Sequence, residues 1–268
     1  KSYSAVSDLQ SAYSPSLFFS VKAIASDSNG IIPFVVRTHW GYTQWSKITF
    51  SFLAEGSSQL EAGYYQIDTG SLSSCSSTKS IAAFIPLVNQ NAASTSALTF
   101  LNGFEISSLA VNSSYLTPFE VQVSVTSVSK QGISILISST SATQVYSLFV
   151  SYIVYDPNIQ NLVAGNYLYN KYTATSALTH TPPIGISKNN IAFHGFSGFI
   201  LSNNKGNVAL TGSLVKGNFT IASSSNLYYL SYNYFYLIGG PCGQCAGYGI
   251  NYNGNCVATC PPKSYFNG

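Results

Sequence analysis

The chain has 268 residues, of which 46% are hydrophobic and only 7% charged, with a net charge of +3. The apolar share can fill two or three packed cores. The polar remainder is mostly Ser, Thr, Asn and Gln, a surface suited to close assembly or a glycan coat rather than to a freely diffusing cytosolic enzyme. All eight carboxylates (Asp8, Asp27, Glu55, Glu61, Asp68, Glu105, Glu120 and Asp156) precede Pro157. The rest of the chain therefore has no paired carboxylates for acid–base work and none to hold Ca²⁺. Its lysines are scattered, which argues against nucleic-acid binding. No window holds 18 uninterrupted apolar residues, so no membrane-spanning helix is expected. No signal peptide is visible ahead of Lys1, and the expectation is a processed or excised part of a secreted precursor.

The strands read as three divergent copies of one unit. The first holds "FSVKAIASDSNGIIPFVVRTHWGYTQWSKITFSFLAE", Phe19 to Glu55: an alternating strand, a Ser-Asn-Gly turn, a second strand, a loop and a last strand "QWSKITFSF". The second opens at Leu60 with "LEAGYYQIDTG" and closes with Val121 to Pro157, where the same order recurs around a Lys-Gln-Gly turn. The third opens at Leu162 with "LVAGNYLYNKY" and closes with Val208 to Gly240, with its turn at Lys-Gly-Asn. The Leu-x-Ala-Gly step thus returns after 102 residues. The copies span about 1–56, 58–158 and 160–240, the first without its opening strand. "QVYSLFVSYIVYDPN", Gln144 to Asn158, is β-branched and aromatic and ends in a turn initiator, so it reads as a buried core strand. Short strands, Gly and Asn turns and a period near 100 residues predict an all-β chain of tandem antiparallel sandwiches.

Residues 241–268 form a cysteine-rich tail, with Cys242, Cys245, Cys256 and Cys260 spaced C-x2-C-x10-C-x3-C. Zinc is conceivable at this spacing, but the Gly, Asn and Tyr between the pairs favour two disulfides, for which three pairings exist. Cys75 is expected as a buried thiol or an intermolecular bridge. Two sequons, at Asn112 and Asn218, join the cysteines in predicting an extracellular, glycosylated protein. His180 and His194 have no carboxylate or Cys near them in sequence and read as polar residues of loops or strands. There is no G-x-S-x-G elbow, so no enzyme and no cofactor is expected.

The ordered pattern "FEVQVSVTSVSKQGISILISSTSATQVYSLFVSYIVY", the opening strand "AGYYQIDTG" and the segment "VSDLQSAYSPSLFFSVKAI" resemble the H-type lectin domain. That resemblance implies six-stranded antiparallel sandwiches that trimerise and bind N-acetylgalactosamine-type sugars near subunit interfaces. It also implies a sugar site made of a Trp-His pair, an Arg and an Asp. In "RTHWGYTQW" His39 and Trp40 fall at the pair in reversed order and Trp45 at a neighbouring aromatic position. Asp68 matches the Asp, while Phe18 occupies the Arg position and no copy has the full set. Arg37, His39, Trp40, Trp45 and Asp68 are therefore the candidate ligand residues, since stacking aromatics beside hydrogen-bonding groups suit a sugar. The tail resembles growth-factor-receptor-type cysteine-rich repeats.

The expected function is a non-enzymatic surface coat or appendage subunit that self-associates or joins related surface proteins; the alternative is a glycan-binding lectin. The gap left by the missing opening strand of the first copy is expected to be filled by an upstream segment or by a neighbouring molecule. The three copies could also stand in for the lectin trimer within one chain.

Overall fold

The computed structural model describes residues 2–11, 16–23, 34–38, 45–54, 60–68, 79–88, 95–108, 110–112, 115–116, 118–139, 143–159, 162–171, 175–182, 192–202, 208–215, 218–237, 250–252 and 255–257. Every regular element among them is a β-strand. In chain order these are β1 (Ser2–Ser11), β2 (Ser16–Ala23), β3 (Phe34–Thr38), β4 (Trp45–Ala54), β5 (Leu60–Asp68), β6 (Lys79–Pro86) and β7 (Ser96–Ser108). Then come β8 (Ala110–Asn112), β9 (Tyr115–Leu116), β10 (Phe119–Val128), β11 (Gly132–Ser139), β12 (Thr143–Tyr155), β13 (Leu162–Tyr169) and β14 (Thr175–His180). β15 (Ala192–Leu201), β16 (Val208–Val215), β17 (Asn218–Leu237), β18 (Ile250–Tyr252) and β19 (Asn255–Val257) complete the set. All pairings are antiparallel.

The apolar stretch at Gln144 to Asn158 becomes β12, an interior strand between β7 and β5. Its residues from Ser151 to Tyr155 are all buried, as a strand covered on both faces requires. Its "DPN" ending is an Asx turn: Asp156 Oδ1 accepts from Asn158 N at 2.9 Å. The third copy differs from expectation. Its Ser-rich stretch does not break the strand, and β17 runs unbroken for 20 residues. The first part of β17 pairs with β16 and β14, and the rest pairs with β15 and β13. The β16 ladder ends at Ser223 and the β15 ladder begins at Leu227, so the Ser run lies at the joint between two sets of neighbours.

A five-stranded sheet runs β3-β2-β7-β12-β5. The ten-stranded sheet runs β4-β1-β16-β17-β15-β10-β11-β6, with β13 and β14 also on β17. Because β17 is shared end to end, this sheet has two lobes. One is β4-β1-β16-β17-β14 and the other is β13-β17-β15-β10-β11-β6. The three strand groups match position by position. Ser7 in β1, Asn102 in β7 and Ser197 in β15 are each skipped by a register shift, and they stand 95 positions apart. A bulge kept at one place in three strands marks them as counterparts.

The same register shows what lies on the other side of each bulged strand. The β2–β3 hairpin adds to β7 (Ser20 opposite Gly103) and the β10–β11 hairpin adds to β15 (Gln122 opposite Gly198). The hairpin of β16 and the first half of β17 adds to β1 (Thr211 opposite Asp8). A hairpin within 1–56 therefore adds to a strand of 58–158, one within 58–158 to a strand of 160–240, and one within 160–240 to a strand of 1–56. β1, β7 and β15 lie against one another, and Phe104 and Phe199, equivalent residues of β7 and β15, meet edge to face at 5.6 Å. The main core is one cluster that runs from Val21 through Phe104, Val150 and Phe199 to Tyr236.

Two close approaches explain glycines. The phenol of Tyr152 lies where a Cβ on Gly63 would sit, and that of Tyr234 lies likewise over Gly165. Both are the Gly of Leu-x-Ala-Gly, directly opposite those tyrosines in the ladders. At Gly198 a Cβ would come within 2.9 Å of Gln122 Cα, so the bulged strand accepts its hairpin only without a side chain there.

Candidate functional site

A polar seam crosses the apolar interior beside β17. Alternation along the strand sends Ser231 and Asn233 to one face and Tyr232, Tyr234 and Tyr236 to the other; all five are buried. Ser197 Oγ and Ser231 Oγ are 2.6 Å apart. Asn166 Nδ2 donates to Ser231 Oγ at 2.8 Å. Asn233 Nδ2 donates to the carbonyl of Thr99 at 2.6 Å, which ties β17 to β7 in the other sheet. A buried amide that spans two sheets fixes their relative position because either group would be costly to strand without its partner.

On the opposite face His194 Nδ1 lies 2.6 Å from the Tyr232 hydroxyl. Burial pushes the His194 imidazole down to about 4 and the Tyr232 phenol far above its usual range. Burial thus favours the neutral form of both, and a hydrogen bond joins the pair. His180 stacks on Tyr167 with centroids 4.6 Å apart, and its Nε2 is 3.3 Å from the Tyr234 hydroxyl. Burial lowers the His180 pKa and raises those of Tyr167 and Tyr234. This cluster clamps β13 and β14 onto β17. Both histidines lie in strands; the tyrosines alternating along "YLSYNYFY" were the only sequence signal for a lined, partly polar face.

Arg37 lies exposed on β3, opposite Ser20 of β2. Asp68 ends β5 opposite Ser147. These residues occupy the two outer strands of the five-stranded sheet, four strand intervals apart, or about 19 Å. The fold does not bring them into one site. Trp45 opens β4, opposite Ser11 in the first lobe of the other sheet. His39 and Trp40 lie outside the described residues, as do Cys75, Cys242, Cys245 and Cys260. Cys256 sits on β19, opposite Asn251 of β18. Asn112 ends β8, and Asn218 is partly exposed at the tip of the β16–β17 hairpin.

The more telling surface is at the outer strands of the second lobe. Phe84 on β6 is 50% exposed, Val88 just beyond it 78%, and Leu168 on β13 49%. Among the described residues, β6 and β13 are the two edges of that lobe. Exposed strand edges carrying large apolar side chains are template surfaces for association.

Comparison with family models, with curated proteins and with solved structures finds no match to this chain.

Proposed function

We propose that this is a non-enzymatic, extracellular structural protein, a coat or appendage subunit that assembles through its strand edges. The observation that carries this reading is the pair of apolar edges on β6 and β13. They are different surfaces at opposite ends of one lobe, so contact between them is head-to-tail, and such a contact propagates into a filament unless its rotation closes a ring. The 7% charged composition supplies little repulsion to oppose it. The finer architecture belongs to the same proposal: three lectin-like units exchange hairpins in a closed cycle, the arrangement expected if they replace the trimer of H-type lectins. An oxidising compartment is supported by the cysteine-rich tail and by the accessible position of Asn218.

The test is light scattering and electron microscopy of the purified chain beside Phe84→Lys and Leu168→Lys. The wild type is expected to form particles larger than one chain, and each substitution to release monomers with unchanged far-UV circular dichroism. A monodisperse monomer at high concentration would overturn the reading. The second reading is a lectin, favoured by the open position of Arg37. A glycan array that reports a sugar lost on Arg37→Ala would select it.

A further inference from the structure

The three hairpins can be compared residue by residue at their outer strands. Ser20, Gln122 and Thr211 hold the same place, each opposite the residue that follows a bulge: Gly103, Gly198 and Asp8. One step further along, Val21, Val123 and Gly212 face Val36, Ile137 and Ile221 on the second strand of each hairpin. These three β-branched residues are therefore counterparts. Ile137 and Ile221 are 0% exposed, whereas Val36 is 50% exposed. On their outer sides Ile137 faces Ile81 of β6, and Ile221 faces Leu178 of β14, both across antiparallel ladders. Among the described residues β3 pairs with β2 alone. Val36 thus lies open where its counterparts have an aliphatic residue of a further strand across from them.

We propose that the outer edge of β3 is a strand-addition site for an extended segment of a partner protein, with Ile, Leu or Val opposite Val36 and Asp or Glu opposite Arg37. The strands that cover the counterparts supply the pattern. In chain order β6 reads Ser80-Ile81-Ala82 and β14 reads Ala177-Leu178-Thr179, so each sets an aliphatic residue between two small ones. The aliphatic residue stands opposite Ile137 or Ile221, and the residue before it opposite Ser138 or Ala222. In β3 the counterpart of Ser138 and Ala222 is Arg37, which is exposed. A cation in place of a small neutral side chain calls for a carboxylate in the occupant, because opposite charges across a ladder attract and like charges repel. Main-chain hydrogen bonds to the edge then give affinity, and the two side-chain positions give selectivity. In this chain Asp or Glu directly precedes Ile, Leu or Val only at Asp8, Glu105 and Glu120. These lie on β1, β7 and β10, each paired on both sides, so the occupant is a segment of another protein and not of a second copy.

The test titrates the whole chain with two synthetic peptides, its own Lys79–Val88 and the same peptide with Ser80→Glu, followed by calorimetry and amide hydrogen exchange. The acidic peptide is expected to bind more tightly than the unchanged one. It should slow exchange in 34–38 by about tenfold at about nine-tenths occupancy. Arg37→Glu in the chain is expected to weaken the acidic peptide by about fivefold or more, and a peptide with Ser80→Lys to recover the loss. Val36→Asp is expected to abolish binding of both peptides with unchanged far-UV circular dichroism. No binding of the acidic peptide, binding that leaves 34–38 unprotected, or an affinity that Arg37→Glu does not alter would overturn the proposal. So would slow exchange in 34–38 of the free monomeric chain, which would show that the edge is covered from within. Protection of 34–38 that grows with chain concentration in the absence of peptide would give the edge to a second copy and overturn it as well. Phe84→Lys and Leu168→Lys lie on other strands and are expected to leave peptide binding unchanged, so this site and the assembly edges can be lost independently.

Discussion

The cyclic exchange of hairpins predicts that no copy unfolds alone. Phe104 and Phe199 are both fully buried and meet at 5.6 Å, one from the second copy and one from the third. Replacing either by Ala removes a buried ring at about 3–5 kcal/mol, a large part of the roughly 5–15 kcal/mol of a typical native state. The ring pair itself contributes about 0.5–1.5 kcal/mol, so the double variant is expected to cost less than the sum by that amount. With an m-value of about 5 kcal/mol/M in guanidinium chloride, each single change lowers the midpoint by roughly 0.6–1 M. The chain supplies its own reporter: its two tryptophans, Trp40 and Trp45, are both in the first copy. Fluorescence therefore follows the first copy, whereas far-UV circular dichroism follows every strand. The expected result is that Phe104→Ala and Phe199→Ala move both signals together, although neither residue belongs to the first copy. A tryptophan transition left in place while the dichroism transition falls would show that the copies are separate folding units and would refute the exchange.

Gly63→Val places side-chain atoms where the Tyr152 phenol lies and is expected to cost about 1–3 kcal/mol as overpacking. Part of that should return in Gly63→Val with Tyr152→Ala, read from denaturation midpoints; a neutral Gly63→Val would remove the stated reason for the glycine. The His194 imidazole has a folded value near 4 against an ordinary value of 6.5. The unfolded chain binds the extra proton between those values, so stability is full above about pH 6.5 and falls as pH drops toward 4, by up to about 3 kcal/mol. His194→Phe should flatten that segment of the stability–pH curve, and a curve with the same slope in the variant would place the titration elsewhere.

The strands were legible because each carries its own local signal. β-branched and aromatic runs, the Asx turn at Asp156 and the recurring Leu-x-Ala-Gly step all depend on neighbours in sequence. The same step predicted the opening strands β5 and β13, and their ladders place Gly63 and Gly165 opposite Tyr152 and Tyr234 in matching register. The ligand set was less informative: of its five residues, Arg37 and Asp68 are on opposite edges of one sheet and Trp45 is in the other. A motif aligned within one copy assumes that the copy folds on itself.

That assumption is where sequence reasoning stops, and the reason is physical. β2, β10 and β16 are counterparts, and so are β1, β7 and β15. Any of the three hairpins presents nearly the same ladder to any of the three bulged strands. Pairing within a copy and pairing with the next copy bury similar side chains in similar registers, so local pattern cannot choose between them. What can choose is geometry beyond the pair. The bulged strands contact one another, as Phe104 and Phe199 show, and each carries its hairpin outward on the far side. Exchange around the cycle lets the hairpins close one shared core, whereas self-contained sandwiches would have to bury Phe104 and Phe199 each without the other. The favourable term that selects the cycle thus comes from contacts between copies. Weakening those contacts, and not the hairpins, is the change that should release the copies from one another.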